Sequence, residues 1–263
     1  MGSATTQALS VTNAALGAAS GIDLTVASEL FQAARAVGAS SHLSAALADF
    51  PAPAEARAKV VADVFGPVFA PVTVELLTTV TQQRWSSVAD LVDGIEELAV
   101  RAASVAAPDG DLGAELFRFF RTVAENPELE LALGSRVGDS AAKSQLVASL
   151  LEGRESGAAV LVISSLVRQT RGRRVRDILT RAMAIVGDQR SQLIATVVTA
   201  SELTPAQSDR LTATLSQRYG ADIALNIVID PSIVGGLRVQ IADDVIDASV
   251  SARLADLRQR LAG

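Results

Sequence analysis

The chain has 263 residues, of which 49% are hydrophobic, and it carries one histidine, no cysteine and a net charge of −6. So much apolar surface argues against general disorder, and a chain without cysteine has no disulfides, zinc ribbons, iron–sulfur clusters or thiol nucleophiles, so we predict no metal centre and no cofactor. A pI near 4.9 disfavours general nucleic-acid binding, because a negative surface repels phosphates.

The first residues do not have the pattern of a targeting segment. The first 22 residues carry no charged side chain, yet they lack the basic start and the long apolar run of a signal peptide. The longest later stretch without a charged side chain or histidine, residues 156–167, is too short to cross about 30 Å of hydrocarbon. We therefore expect a soluble protein of the cytoplasm.

The first 106 residues show helical periodicity, with apolar residues three and four positions apart. Residues 4–19 predict a first helix, and breaks are predicted at residues 38–41, 50–53 and 66–67. His42 lies at the first break, where we expect a solvated or capping side chain rather than a catalytic one. The clearest amphipathic stripe comprises Val88, Leu91, Val92, Ile95, Ala99 and Ala102.

The helical pattern then repeats. Residues 114–133 match residues 28–47 at eight of twenty positions, where chance gives on the order of two. The offset continues through Val61/Val147 and, with one inserted residue, reaches Arg84/Arg171. We infer two copies of about five helices, joined by a linker at residues 107–110. The second copy lacks a counterpart of the first helix, so we expect it to expose an apolar groove or to fill that groove with a partner.

The pattern changes again after about residue 190. β-Branched residues at 193–200 predict a strand, and Thr204, Pro205 and Gln207 predict the capped start of a helix that ends near Gly220. Alternating residues predict strands at 223–229 and 237–241, and a closing helix carries Val250, Leu254, Leu257 and Leu261. The chain is therefore mainly α, with helical domains at 1–106 and 107–190 and a small α+β module, of order β-α-β-β-α, at 191–263.

Four carboxylates of this module are candidates for a metal or acid–base site: Asp230, Asp243, Asp244 and Asp247. Asp230 and the Asp243–Asp244 pair stand between alternating runs, where aspartate caps turns, so we favour turn chemistry over a hydrolase or transferase. Gly235 and Gly236 are not part of a phosphate loop and predict a backbone bend or a close approach of two segments.

The one strongly basic run comprises Arg168, Arg171, Arg173, Arg174 and Arg176. It is interpreted as a solvated helix end, as a contact for an acidic protein, or as the nucleic-acid surface of a helical adaptor. The matching stretch of the first copy keeps only Arg84, and we expect Trp85 beside it to be a core or groove-edge residue. Because no reacting group emerges, the pattern favours a non-enzymatic protein that holds other proteins.

Residues 195–204, the helix end at Tyr219-Gly220, the run 229–241 (IDPSIVGGLRVQI) and the segment from Val245 to Leu254 together carry a recognisable signature. They resemble the delta subunit of bacterial ATP synthase, the counterpart of the mitochondrial oligomycin-sensitivity protein. The two helical copies resemble the six-helix bundle of that family with a second bundle inserted, as in elongated actinobacterial members. Residues 84–92 (RWSSVADLV) match the actinobacterial pattern, whereas residues 8–16 match the usual first helix only loosely.

The resemblance implies a non-catalytic part of the peripheral stalk in proton-driven ATP synthesis, at the cytoplasmic face of the plasma membrane and in contact with the membrane only through the complex. It implies no nucleic-acid partner. The N-terminal helix of the alpha subunit would bind a groove between the first and fifth helices, lined by Leu9, Val11, Thr12, Ala15, Leu16, Leu76, Leu77, Val80 and Thr81. The C-terminal end of the b subunit would join the module that carries Asp230, Gly235, Gly236, Val239, Ile241, Asp247 and Ser249. The basic run would be a contact of the second copy with a stalk or head subunit.

Overall fold

A computed structural model of the protein describes residues 2–108, 110–135, 139–233, 235–241, 244–247 and 250. The chain divides into two compact units, Met1–Val186 and Gly187–Gly263. The helices of the first unit are α1 (Ser3–Ala18), α2 (Leu24–Ala39), α3 (Ser41–Leu47), α4 (Ala54–Phe65), α5 (Pro71–Gln82), α6 (Val88–Ala106), α7 (Leu112–Glu125), α8 (Pro127–Gly134), α9 (Ser140–Leu151), α10 (Gly157–Arg168) and α11 (Val175–Gln189), which ends in the second unit. Of these described helices, six precede the linker and five follow it, as the repeat predicts.

The helix ends follow local sequence signals, with one difference from expectation. Asp23 and Ser40 accept hydrogen bonds from backbone amides and cap α2 and α3. His42 is therefore the second residue of α3 rather than part of a connector, and its side chain is exposed. No helix in the described part of the chain has the length and apolarity needed to cross a bilayer.

The helix boundaries confirm the duplication. Helices α4 and α9 start and end 86 residues apart, as do α5 and α10, while α6 and α11 begin 87 residues apart. A hydrogen bond repeats at the same offset: the Glu29 carboxylate accepts from the amide of Ala70, and the Glu115 carboxylate accepts from the amide of Ser156. In each copy, a glutamate of one helix thus accepts a hydrogen bond from the backbone amide just before the first turn of another helix.

Helix α6 is buried on nearly all sides. The predicted apolar stripe of α6 is buried in the core of the first copy, except for Val88 at its start, which is exposed. Its polar face is also buried, which the amphipathic pattern did not predict, and it contributes Glu96, Glu97, Arg101 and Ser104 to the interior. The second copy covers this face, because α10 packs against α6 and arginines from the segment before α11 reach its carboxylates.

Trp85 lies in the core, as expected. Its indole Nε1 donates to the carbonyl of Val80 at 2.9 Å, and its ring lies against Gly94 of α6. The absence of a side chain at Gly94 is what lets the tryptophan ring approach the helix backbone.

The second unit contains a four-stranded sheet of order β2-β1-β3-β4. Its elements are β1 (Gln192–Thr199), α12 (Pro205–Tyr219), β2 (Asp222–Ile229), β3 (Leu237–Ile241) and β4 (Asp244–Asp247). Strand β1 pairs in parallel with β2 and antiparallel with β3, and β3 pairs antiparallel with β4. The prediction of three strands is therefore wrong, because the short run Val245–Ile246 between aspartates forms an edge strand.

One face of the sheet forms the core of the second unit, where Val197, Ile223, Val239 and Ile241 pack with Leu215 of α12. The predicted capping box at Thr204 and Gln207 is present, and Gly220 ends α12 in the left-handed region. Val250 is helical, and the other residues predicted for the closing helix lie outside the described residues.

We predict that Glu29→Ala lowers the free energy of unfolding by about 2 kcal/mol, measured by urea denaturation. The Glu29 carboxylate also accepts from the Thr73 hydroxyl at 2.5 Å, so the substitution leaves a buried donor without its partner. Gln32→Ala on the exposed side of α2 is the control and should change stability by less than about 0.5 kcal/mol. Equal effects of the two variants would contradict the assigned role of Glu29.

Substitution of two helical glycines should shift stability in opposite directions. A methyl group on Gly94 would overlap Cη2 and Cζ3 of Trp85, so Gly94→Ala should cost about 1–3 kcal/mol. Gly17 on α1 has no described atom within 4 Å of such a methyl group, so Gly17→Ala should stabilise by a few tenths to about 1 kcal/mol. Thermal unfolding of both variants tests this, and a stabilised Gly94→Ala protein would refute the packing.

Candidate partner-binding surfaces

The residues predicted to line a groove between α1 and α5 divide into core and surface. Val11 is 36% exposed, and Leu9 and Ala15 are half-buried. The other six are buried in the bundle: Thr12, Leu16, Leu76, Leu77, Val80 and Thr81. These six hold α1 against the bundle, so only the first three are accessible to a partner.

A cleft of about 730 Å³ opens where the start of α1 faces the end of α5. Its α1 wall contains Ala4 and Gln7, and its other walls contain Phe50 and the segment from Gln83 to Ser86. Ala4, Gln7, Val11 and Ala15 follow one another at helical spacing, so these partly or fully exposed residues form one stripe along α1 that begins at the cleft. The predicted groove did not include Ala4 and Gln7, although their helical spacing from Val11 indicates that they lie on the same face of α1.

A buried arginine fixes the region behind this cleft. The Arg57 guanidinium donates to the carbonyls of Thr81 at 2.7 Å, Gln82 at 3.1 Å, Ala52 at 2.6 Å and Asp49 at 3.1 Å. It therefore joins the final carbonyls of α5 to the loop before α4, and its charge is favourable at a helix C-terminus. The guanidinium also lies over the Phe50 ring, 5.7 Å from its centroid.

The equivalent face of the second copy is covered by the same chain. By the repeat, α10 corresponds to α5, and α10 packs against both α2 and α6. Near the start of α10, a methyl group on Gly157 would lie 3.4 Å from Leu24, and beyond its end Gln169 lies 3.1 Å from a methyl group built on Gly38. The expectation of an exposed or partner-filled groove on this copy is therefore wrong, since α2 runs beside α10 from end to end.

Three of the five clustered arginines already have carboxylate partners. Arg171 bonds Asp93 and Glu96 of α6, the latter at 3.0 Å, and Arg173 bonds Glu96 at 2.8 Å. Arg176 bonds Glu130 of α8 at 2.8 Å. The sequence carried a signal for the α6 pairs, because acidic residues on the polar face of α6 match a basic run in the next copy, but separations of more than 70 residues hid the partners.

Arg168 and Arg174 differ from the other three. Both are exposed, and neither has an ion-pair partner in the part of the chain that the structure describes. Arg168 lies near Arg35 of α2, and burial together with the Arg168 charge lowers the pKa of Arg35. A contact between the basic run and another subunit stays a prediction, and these two residues are its accessible members.

The signature residues of the second unit are mostly structural. Val239 and Ile241 lie in the core, and Gly235 and Gly236 have φ values of 101° and 80°, which explains the glycines. The amide of Val250 donates to the carbonyl of Gly235 at 3.0 Å, so the chain returns to this bend. Asp247 lies on β4 opposite Arg238 of β3, while Ser249 lies outside the described residues.

The candidate carboxylates do not form one site. Asp230 follows β2, and its carboxylate accepts a hydrogen bond from the Ser232 amide at 2.9 Å. Hydrogen bonds from the hydroxyl and the amide of Ser232 lower the pKa of Asp230. Asp244 begins β4 and accepts from the Tyr219 hydroxyl, which raises the pKa of Tyr219. Strands β2 and β4 are the opposite edges of the sheet, about 14 Å apart at three strand spacings. Asp230 therefore has the predicted turn role, and Asp243 lies outside the described residues.

No group of three or more potential metal ligands occurs among the residues that the structure describes. Comparison with known proteins decides between the remaining interpretations. The family model described as "ATP synthase delta (OSCP) subunit" matches residues 101–261. The ATP synthase subunit delta of Leifsonia xyli subsp. xyli is 48% identical over 265 residues and covers 100% of both chains. The chain belongs to the ATP synthase delta (OSCP) family.

A second relative agrees with this assignment. The ATP synthase subunit delta of Streptomyces avermitilis is 41% identical over 213 residues, which cover 80% of this chain and 78% of the relative. A chain in the structure of the Toxoplasma gondii mitochondrial ATP synthase hexamer is 18% identical with a TM-score of 0.36, covering 64% of this chain and 97% of that one. The resemblance seen in the sequence is confirmed, and the nucleic-acid adaptor finds no support.

The ion pairs between the two copies provide a test of their coupling. We predict that Glu96→Gln lowers the free energy of unfolding by about 1–3 kcal/mol, because it removes the carboxylate that receives Arg171 and Arg173. Asp63→Asn, which breaks the exposed Lys59–Asp63 pair, is the control and should cost less than about 0.5 kcal/mol.

A double-mutant cycle with Arg173→Gln identifies the interaction. Once Glu96 is neutral, the second substitution should cost clearly less than it does in the wild-type protein. Fully additive costs would show that this ion pair does not couple the copies.

Proposed function

We propose that this ATP synthase subunit is a non-catalytic stator component. In this proposal it links the catalytic head to the b subunit at the cytoplasmic face of the plasma membrane, and it keeps the head from turning with the rotor. Membership of the delta (OSCP) family supports the proposal. A static link needs slow dissociation from both neighbours, which buried apolar contacts provide.

The head contact is proposed at the stripe formed by Ala4, Gln7, Val11 and Ala15. The stripe runs beside the buried face of α1 and begins in the cleft of about 730 Å³. The alanines at the two ends of the stripe let a partner helix approach closely, and an amphipathic helix in a groove is a common mode of recognition. We propose that the N-terminal helix of the alpha subunit lies here, and this stripe is the observation that carries the proposal.

One alpha-subunit helix is expected per chain. The second copy offers no equivalent groove, because α2 and α6 cover the corresponding face of α10. We therefore expect the chain to bind one such helix.

For the b subunit, we propose the exposed part of β4 rather than the buried signature residues. Val245 is exposed on this edge strand, together with Asp247. An edge strand presents backbone groups and side chains that a partner can contact, whereas Val239 and Ile241 are enclosed in the core.

Titration calorimetry with a peptide from the start of the same organism's alpha subunit tests the head contact. We expect one peptide per chain, and we expect Val11→Asp to weaken binding at least about tenfold, since burying an unpaired carboxylate costs more than about 1.4 kcal/mol. Deletion of residues 1–20 is a poorer test, because Ala8, Thr12 and Leu16 of α1 belong to the core.

The matched control is Val64→Asp, an identical change at an exposed position of α4. It should leave peptide affinity unchanged. Two peptides per chain, or equal affinities for the Val11 and Val64 variants, would refute the proposed groove.

A further inference from the structure

Two adjacent clefts open on the second copy, on either side of the turn at residues 170–174. The first has a volume of about 500 Å³ and lies between α8 and the start of α11. The second has a volume of about 490 Å³ and lies between α9 and the end of α10. Ser135 and Gly172 line both clefts, so they form one continuous surface, which we call the double cleft.

The double cleft is basic, although the whole chain is acidic. The described residues that line it include one carboxylate, Glu130, against six cations: Lys143, Arg168, Arg171, Arg173, Arg174 and Arg176. Intramolecular pairs engage Arg171, Arg173 and Arg176, but Arg168 and Arg174 are exposed and have no ion-pair partner in the described residues. Arg35 adds a half-buried positive charge beside Arg168. The surface therefore has an excess of positive charge, which attracts carboxylates.

An exposed leucine gives the double cleft an apolar contact. Leu131 is 76% exposed and lines the first cleft, whereas its counterpart in the first copy is Ala45. Gly172, the counterpart of Trp85, has no side chain to fill the space between the clefts. Compared with the first copy, the second copy therefore has a large apolar side chain, Leu131, at its surface, and it lacks a counterpart of the Trp85 side chain, which lies in the core of the first copy.

We infer that the double cleft binds an acidic amphipathic helical segment of a neighbouring ATP synthase subunit. A large apolar side chain of that segment contacts Leu131, and its carboxylates pair with Arg168 and Arg174. The choice of a neighbouring subunit rests on the proposed function, but the double cleft is distinct from the α1 stripe, so each can fail without the other.

The test uses the full chain and overlapping synthetic peptides that span the soluble parts of the alpha, beta and b subunits of the same organism. Binding is measured by fluorescence anisotropy. We expect at least one peptide of net negative charge to bind, with affinity reduced about five- to tenfold in the Arg168→Glu/Arg174→Glu variant and also reduced by Leu131→Ser. Raising the salt from about 50 to about 500 mM should weaken this binding steeply.

Matched controls separate the site from its surroundings. Arg154→Glu makes one such charge reversal at an exposed position of the same copy, and Leu146→Ser removes an exposed leucine of α9. Both controls and Val11→Asp should bind the acidic peptide as the wild type does. Unchanged circular dichroism of each variant shows that its fold is intact.

Several results would overturn the inference. These are the absence of any bound peptide, a bound peptide that is neutral or basic, and an equal loss of affinity in Arg154→Glu. Binding of a single-stranded RNA that depends on Arg168 and Arg174, or self-association of the chain that the double variant abolishes, would assign the surface to another partner and refute the inference as well.

Discussion

The burial of α6 is the constraint on which the first unit depends. A helix with one apolar face normally leaves its other face in water, but here both faces are enclosed, and Glu96, Glu97 and Arg101 enter the interior. Charges in such a place are stable only when their partners are fixed, because desolvation costs more than an imperfect pair returns. The second copy supplies Arg171, Arg173 and Arg181 for this purpose. Each copy therefore completes the other, which explains why both belong to one compact unit.

The two copies share a framework but differ in what they leave open. In the first copy, Arg57 joins four backbone carbonyls. In the second copy, its counterpart Lys143 donates to the carbonyl of Ser135, the counterpart of Asp49, and makes no other side-chain hydrogen bond within the described part of the chain. Lysine is a compact charge on a flexible stem and does not reproduce the fork of arginine. Together with the change from Trp85 to Gly172, this replacement changes the character of the cleft at this place, which α1, Phe50 and Trp85 line in the first copy and a basic run lines in the second.

The local elements of this fold could be predicted because they depend on local chemistry. The proline and capping residues at Thr204–Gln207, the breaks between helices, and the repeat at an offset of 86 residues were all visible in the sequence. Strand β4 was missed because a four-residue segment that begins and ends with aspartate looks the same as a turn. The buried polar face of α6 was missed for a different reason. Periodicity shows which face of a helix is apolar, but it does not show what covers the polar face, and here the cover lies more than 70 residues away.

The candidate groove shows a second limit of sequence patterns. Apolar residues on α1 and α5 predicted a surface, yet six of the nine residues form the core that holds α1 in place. A helical stripe that packs α1 and a stripe that receives a partner differ by less than one turn of rotation, so periodicity alone cannot assign a residue to one of them. Solvent exposure distinguishes the two stripes, and it assigns Val11, together with Ala4, Gln7 and Ala15, to the stripe that can receive a partner.

The two proposed sites on the first unit differ in physical character, and this difference suits a link under load. The α1 stripe carries no charged side chain and contains two alanines and Val11 beside Gln7, so an interaction there depends little on salt and dissociates slowly once water is excluded. The double cleft is basic. Its charge accelerates association with an acidic partner and fixes the orientation of that partner, but dissolved salt screens the attraction. When two such contacts hold one compact unit, the unit is released only if both contacts are broken at the same time. A contact that breaks while the other one holds forms again at high effective concentration. A duplication that adds a second, electrostatic contact beside an apolar one therefore strengthens the attachment without requiring either contact to be exceptionally tight.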